Sequence, residues 1–181
     1  MQRISVVGSS GSGKSTLARR AADRLQMAFV ELDAFQHLPD WQQRDPTEFA
    51  QLVDGACPAE GRWVADGNYS QATMHGVVWE RAEMVVVLDL PRRVVMRHLM
   101  GRSVRRLVTR EELWNGNRES LRNLLSWDPE RNVIRWSWVH HHQYAARYRA
   151  AADDPCWAHL DFVHLTSRAE ADAWIESLTP A

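Results

Sequence analysis

Of the 22 lysines and arginines in this chain, 21 are arginine, and the one lysine is Lys14. It stands in the run Gly8-Ser9-Ser10-Gly11-Ser12-Gly13-Lys14-Ser15-Thr16, which fits the Gly, four residues, Gly-Lys-Ser/Thr spacing of a Walker A phosphate-binding loop. A compact ammonium on a slim stem can thread among phosphate oxygens, whereas a planar guanidinium fork is too broad. That explains why arginine serves everywhere else and not here. Gly8, Gly11 and Gly13 free the backbone to turn successive N–H groups inward as an anion nest. A helix opening near Lys14 adds its own N–H groups and partial positive charge. Ser15 supplies the hydroxyl expected on Mg²⁺. The competing reading is a glycine-serine turn with a chance lysine, and the flanks argue against it. Arg3 to Val7 reads as a short apolar strand, and Leu17, Ala18, Ala21, Ala22 and Leu25 follow as an apolar stripe at helical spacing.

Three acids close apolar runs: Asp33, Asp66 and Asp89. In parallel α/β sheets ligands gather beyond the C-terminal strand ends, so each is a site candidate. No helix is apparent for Asp33 to cap, which favours a site role. Asp66 precedes a glycine and a polar run. Asp89 follows four apolar residues in the manner of a Walker B strand, yet Leu90-Pro91 behind it also suits a helix cap. Sheet order decides which acid faces the loop.

Between Arg92 and Arg122 lie nine arginines against three acids, Glu111, Glu112 and Glu119. One reading is a solvated basic helix face, another a contact with nucleic acid. The third is a set of arginines that closes over phosphates during transfer, with Arg97, Arg102, Arg105 and Arg106 placed to do so. The stretch from about 100 to 128 is polar and weakly periodic, and a loop of that length inside a domain reads as a lid. His140-His141-His142 resembles a metal site only superficially. Adjacent helical positions diverge, so a solvated face is expected instead.

The elements that must position these groups alternate. Strand-like runs span Ala28 to Leu32, Arg62 to Ala65, Met84 to Leu88 and Leu160 to Leu165. Helix starts appear at Asp45-Pro46-Thr47-Glu48, at Pro91, at Asp128-Pro129-Glu130, and at Ser167 with Glu170. Such alternation predicts an α/β fold with a parallel sheet covered on both faces. At 181 residues one domain over 1–181 is the expectation. The net charge of −1 argues against a strongly basic nucleic-acid binder. No run approaches the roughly 18 apolar residues of a membrane span. With a strand at the very start there is no room for a signal peptide, so a cytoplasmic protein is expected. Cys57 and Cys156 are expected to be free thiols. Of nine tryptophans, Trp41 and Trp114 lie in polar segments where they can line a cleft.

With the phosphate loop, Leu32-Asp33, Asp66-Gly67-Asn68-Tyr69, Glu80-Arg81-Ala82-Glu83, Leu88-Asp89-Leu90-Pro91, Trp114-Asn115-Gly116-Asn117 and His164-Leu165-Thr166-Ser167 in view, the chain resembles the adenylate-kinase-related P-loop kinases. Within them it looks most like the small bacterial proteins named for adenylate kinase or for DNA topology modulation. The resemblance implies a P-loop NTPase three-layer sandwich with a five-stranded parallel sheet in the order 2-3-1-4-5 and a helical, arginine-rich lid. It implies ATP and Mg²⁺, held by residues 8–16, with Ser15 and Asp66 serving the metal. It further implies Lys14, Arg97, Arg102 and Arg106 around the transferring phosphate, and Asp33 as the group that takes an acceptor proton. Two departures bear on the acceptor. The Asp-Gly after the third strand leads into Asn68-Tyr69-Ser70 rather than Phe-Pro-Arg, and Ser10 replaces a proline. Both count against AMP, although Arg44 or Arg81 remain candidates to hold an acceptor phosphate. The expected activity is transfer from ATP to a small molecule, a nucleotide or nucleoside-like compound. The alternative is a nucleotide-binding regulator or slow NTPase linked to DNA topology.

Overall fold

Short runs of β-branched and aromatic residues give five strands, and capped helices fill the intervals between them. A computed structural model describes residues 1–120, 124, 126–128 and 132–179. The strands are β1 (Arg3–Gly8), β2 (Ala28–Glu31), β3 (Trp63–Asp66), β4 (Met84–Leu88) and β5 (Asp161–Leu165). They pair in parallel as one sheet of order β2-β3-β1-β4-β5, the order the resemblance implies. The helices are α1 (Lys14–Leu25), α2 (Leu32–Gln36), α3 (Pro46–Ala56), α4 (Val77–Arg81), α5 (Arg92–Thr109), α6 (Val133–Ala152) and α7 (Arg168–Ser177).

The sheet is buried on both faces because its strands alternate apolar residues to each side. Ile4, Val6, Val64 and Val86 meet Leu17 and Ala21 of α1, Val95 and Leu99 of α5, and Ile175 of α7. Val7, Ala65, Val85 and Val87 meet Phe49 and Val53 of α3, Trp79 of α4 and Tyr148 of α6. Trp79 satisfies its buried indole by donating to Ser5 Oγ at 3.2 Å. The result is the expected three-layer sandwich. No described helix is long and apolar enough to cross a membrane.

Local chemistry sets the helix starts. Asp45 accepts from the backbone N–H of Thr47 and Glu48 at 2.8 and 3.3 Å, with Pro46 opening α3. Ser167 caps α7 by accepting from Glu170 N at 3.2 Å, and the Glu170 carboxylate accepts from Thr166 N at 2.7 Å.

Three boundaries differ from the sequence reading. β2 ends at Glu31, so Asp33 lies in the first turn of a short helix, not at the tip of a strand. α5 runs on to Thr109 through the weakly periodic segment, because arginine is a good helix former and needs no buried face. The long helix α6 begins at Val133, where Asn132 accepts from the N–H groups of Ile134 and Arg135. Pro129 and Glu130, part of the start expected at Asp128, lie outside the described residues.

Candidate active site

The phosphate loop joins the central strand to α1, and its glycines are fixed by what presses on it. Gly11 has φ +84, and a Cβ there would stand 3.0 Å from Leu99 Cβ and 3.1 Å from the Val95 carbonyl of α5. A Cβ on Gly8 would meet the Leu88 carbonyl of β4 at 2.6 Å. Gly13 precedes α1 in a left-handed conformation without a side-chain cap, and no acid occupies the first turn. The opening N–H groups of α1 are therefore left to an anion. Ser10 through Thr16 line a cleft of about 1500 Å³. Gly8 and Ser9 are buried below it, where Asn68 grips the loop. Asn68 Oδ1 accepts from Gly8 N at 3.0 Å and from the Tyr148 hydroxyl at 3.1 Å, and its amide donates to the Gly8 carbonyl. Sequence alone marks Asn68 as no more than a motif residue, because its role depends on the β1–β3 pairing that brings it to Gly8. Replacing it leaves two buried backbone groups and a hydroxyl unpaired, at about 1–3 kcal/mol each before relaxation. Asn68→Ala is expected to lower unfolding free energy by about 2–4 kcal/mol in urea titrations, and a loss below about 0.5 kcal/mol contradicts this role.

Asp66 stands beside Val6 in the β1–β3 register and is 1% exposed. Neither carboxylate oxygen makes a hydrogen bond of good geometry, although the Ser15 hydroxyl lies close enough to act on it. Burial pushes its pKa up, while the Lys14 ammonium and Ser15 hydroxyl pull it down. An orphaned, buried carboxylate next to the loop serine is a donor set that fits a hard divalent cation reached directly or through water. Asp89 is different. Although β4 also flanks β1, Asp89 neither serves the cleft nor caps α5. It accepts from Arg149 of α6 at 2.7 Å.

The raised pKa of Asp66 has a sign that can be checked. The folded state holds this proton more tightly than the unfolded chain, so stability is lost as pH rises from the ordinary carboxyl value through the raised one. In ligand-free protein, wild type should therefore lose stability relative to Asp66→Asn as pH rises through that window. A difference that stays flat from about pH 4 to 8 contradicts it.

Asp33 lines the cleft, and Tyr69 donates its hydroxyl to Asp33 Oδ1 at 2.6 Å. His37 Nε2 lies 3.3 Å from the same hydroxyl. Burial and the adjacent Asp33 carboxylate hold Tyr69 protonated. His37 is pushed down by burial, against the pull of Asp33.

Over this group two loops interlock. Trp41 donates its backbone N–H to Asn117 Oδ1 at 2.8 Å and its indole N–H to the Arg118 carbonyl at 3.2 Å. Asn117 donates to the Leu38 carbonyl at 2.8 Å, and Asn115 donates to the His37 carbonyl. The His37 ring stacks on Trp114 at 5.6 Å. Trp41 and Trp114 both line the cleft, as their polar settings predict. Asp40 and Trp41 take φ near +59 and +58, a strained arrangement for such residues, which the contacts from 115–118 hold in place.

The α5 arginines divide. Arg102, Arg105 and Arg106 line the cleft and Arg97 does not. Arg97 is exposed, about 100° round the helix from the cleft-lining His98. Arg105 pairs with Glu111 at 2.9 Å and Arg106 with Glu119 at 2.8 Å. Arg102 has no ion pair among the described residues, and its Nε is buried without a partner. Burial and then Arg106 lower its pKa. Arg44 and Arg81 are structural. Arg44 donates to the Phe35 carbonyl at 2.7 Å and meets Glu48, while Arg81 binds the Cys57 carbonyl and Asp54. Of the three histidines, His141 is buried and within 3.0 Å of the Leu90 carbonyl, not on a solvated face. No cluster of three or more His, Cys, Asp or Glu side chains that could hold a metal ion occurs among the described residues.

Fold and loop together define an α/β protein with the P-loop kinase fold. Residues 4–62 match the ATPase family associated with various cellular activities (AAA). Among solved structures the chain is similar to shikimate kinase from Bacteroides thetaiotaomicron, 15% identical with TM-score 0.54, covering 97% of this chain and 94% of that one. It is similar also to shikimate kinase from Acinetobacter baumannii in complex with shikimate, 16% identical with TM-score 0.52 over 97% and 89%. A sugar kinase from a Janibacter species, solved unliganded, matches at 17% identity and TM-score 0.50 over 97% and 91%. At these identities the likeness is one of fold. A search of the curated proteins finds no match.

Proposed function

We propose that this chain is an ATP-dependent phosphotransferase that moves the γ-phosphoryl group of ATP to a hydroxyl of a small molecule, a nucleotide or nucleoside-like compound. The observation that carries the reading is Asp33. Its Oδ1 is fixed by Tyr69 while Oδ2 accepts no hydrogen bond from the described residues, and it lines the same cleft as Lys14. Carboxylate and anion cradle line one cleft, as transfer of a phosphoryl group to a hydroxyl requires.

In this reading the loop N–H groups and Lys14 bind the β- and γ-phosphates. Mg²⁺ neutralises developing charge when bound, and Ser15 and Asp66 would hold it. Arg102 and Arg106 close on the transferring group from α5, with Arg106 exchanging Glu119 for phosphate. Asp33 orients the acceptor hydroxyl and takes its proton. The whole chain acts as one kinase domain of the adenylate-kinase-related group, in the cytosol where ATP is at hand.

The match of residues 4–62 to AAA ATPases supports a second reading, a slow NTPase or nucleotide-binding regulator; its link to DNA topology comes from the resemblance alone. ADP release coupled to a screen of nucleosides, nucleotides and hydroxy acids separates the two. A kinase releases ADP faster with its acceptor. Turnover unmoved by every acceptor, together with DNA binding that weakens steeply as salt rises, would replace the kinase reading with the regulator.

A further inference from the structure

The two sides of the cleft differ in charge. Sheet order puts the ends of β2 and β3 on one side of the phosphate loop, and β4 with its helix α5 on the other. Every cation lining the cleft, from Lys14 and Arg20 through the α5 arginines to Arg147 and Arg168, belongs to α1, α5, α6 or α7. The β2–β3 side contributes Glu31 and Asp33, the amides of Gln43 and Gln71, and no cation among the described residues. Arg44 and Arg81 are bound to backbone carbonyls and to Glu48 and Asp54 away from the cleft, and Arg118, whose carbonyl holds the Trp41 indole, turns its guanidinium to Glu112 at 3.4 Å and does not line the cleft. A phosphate already on the acceptor would sit near Asp33 with no cation from the described β2–β3 elements to meet it. Arg102 of α5, whose charge is felt at Asp33, lies across the cleft, where in the phosphotransfer reading the phosphates of ATP engage it. The second phosphate therefore costs both repulsion and desolvation.

What that side does offer is aromatic surface. The Trp41 indole N–H is already donated to Arg118, and His37 lies against both rings, edge-to-face with Trp41 at 5.4 Å and stacked on one face of Trp114 at 5.6 Å, so what the two tryptophans have left for a ligand is apolar ring surface. Flat heteroaromatic rings stack on such surfaces whatever their edge pattern, and amide side chains at the margin supply edge hydrogen bonds. The cleft, about 1500 Å³, exceeds the roughly 300–1,000 Å³ of an ordinary small-molecule site. It has room for ATP and a second ring-bearing ligand.

We propose that the β2–β3 side of the cleft takes an uncharged, ring-bearing alcohol, a free nucleoside in chemical class, with its base on Trp41 and Trp114 and its hydroxyl on Asp33 Oδ2. The inference rests on the phosphotransfer reading and narrows its acceptor. The hydroxyl oxygen attacks the γ-phosphorus as its proton passes to Asp33. The bond from that phosphorus to the β,γ-bridging oxygen breaks, and ADP and a nucleoside monophosphate leave. Asp33 then returns the proton to water. The monophosphate product, being repelled by Asp33, is a poor acceptor for a second round.

The test is a titration of protein saturated with Mg²⁺ and a β,γ-imido ATP analogue, followed by tryptophan fluorescence. The ligands are adenosine, guanosine, cytidine, uridine and thymidine, each with its 5′-monophosphate. The expected result is quenching by at least one nucleoside, with its monophosphate binding at least about tenfold more weakly. Trp114→Phe removes most of the quench while the analogue still binds, and Asp33→Asn narrows the gap between nucleoside and monophosphate. A monophosphate that binds as tightly as its nucleoside, or a full set of nucleosides that leaves the fluorescence unmoved, overturns the proposal while leaving the kinase reading in place. Failure of the ATP analogue itself to bind overturns both.

Discussion

Lys14→Ala lowers phosphoryl transfer from ATP by about a hundredfold to a thousandfold and leaves the fold intact. The side chain lines the cleft and makes no hydrogen bond or ion pair with the described residues, so little structure depends on it. Its electrostatic partner is Asp66, which becomes harder to ionise once the ammonium is gone. Stability should move within about 0.5 kcal/mol, or roughly 1–2 °C in melting temperature for a chain of this size. Steady-state ADP release and a thermal melt on the same preparation check both halves. A mutant that melts far below wild type would show Lys14 to be a structural residue.

The second large effect separates two acids that look alike in sequence. Asp66→Asn weakens Mg²⁺ dependence about tenfold to a hundredfold, and the ligand-free protein becomes no less stable, since a buried carboxylate without a well-formed hydrogen bond has been neutralised. Asp89→Asn removes only an ion pair to an arginine that is 65% exposed, for a change within about 1 kcal/mol, and leaves the Mg²⁺ requirement untouched. Titrating Mg²⁺ against turnover in the two variants decides between them. The reverse ranking would mean that β4, not β3, supplies the acid for the metal.

That contrast also marks where sequence reading stops. The phosphate loop was legible because its determinants are local: three glycines, one lysine, a strand before and a helix after. Strand–helix alternation was legible for the same reason, and the order of the sheet came from resemblance rather than from any residue. Asp66 and Asp89 could not be ranked by adjacency, because β3 and β4 both flank β1. Burial, Lys14 and Ser15 distinguish Asp66, and Arg149, sixty residues on from Asp89, removes the other.

Arg97 shows a narrower failure. Its type and neighbourhood were right, but helix phase puts it on the outer face while Arg102, Arg105 and Arg106 face the cleft. Arg44 and Arg81 failed for another reason, since backbone carbonyls bind them as firmly as phosphate would. The interlock of 37–41 with 114–118 depends on hydrogen bonds spanning 76 to 79 residues, which no local pattern encodes. The burial of one histidine in three depends on how α6 is rotated against the turn between β4 and α5, where Leu90 lies, and no sequence pattern carries that rotation.

All of these roles presuppose that nucleotide phosphates occupy the loop, and the solitary lysine makes that directly measurable. An amine-specific reagent meets two kinds of target here, the ε-amine of Lys14 and the α-amine of Met1, which lies 3.8 Å from Glu83 and outside the cleft. Bound phosphates both shield the Lys14 ammonium and favour its unreactive charged form. Peptide mass spectrometry with saturating Mg-ATP should show Lys14 labelling suppressed and Met1 labelling unchanged. Equal labelling of Lys14 with and without nucleotide would contradict the account at its base.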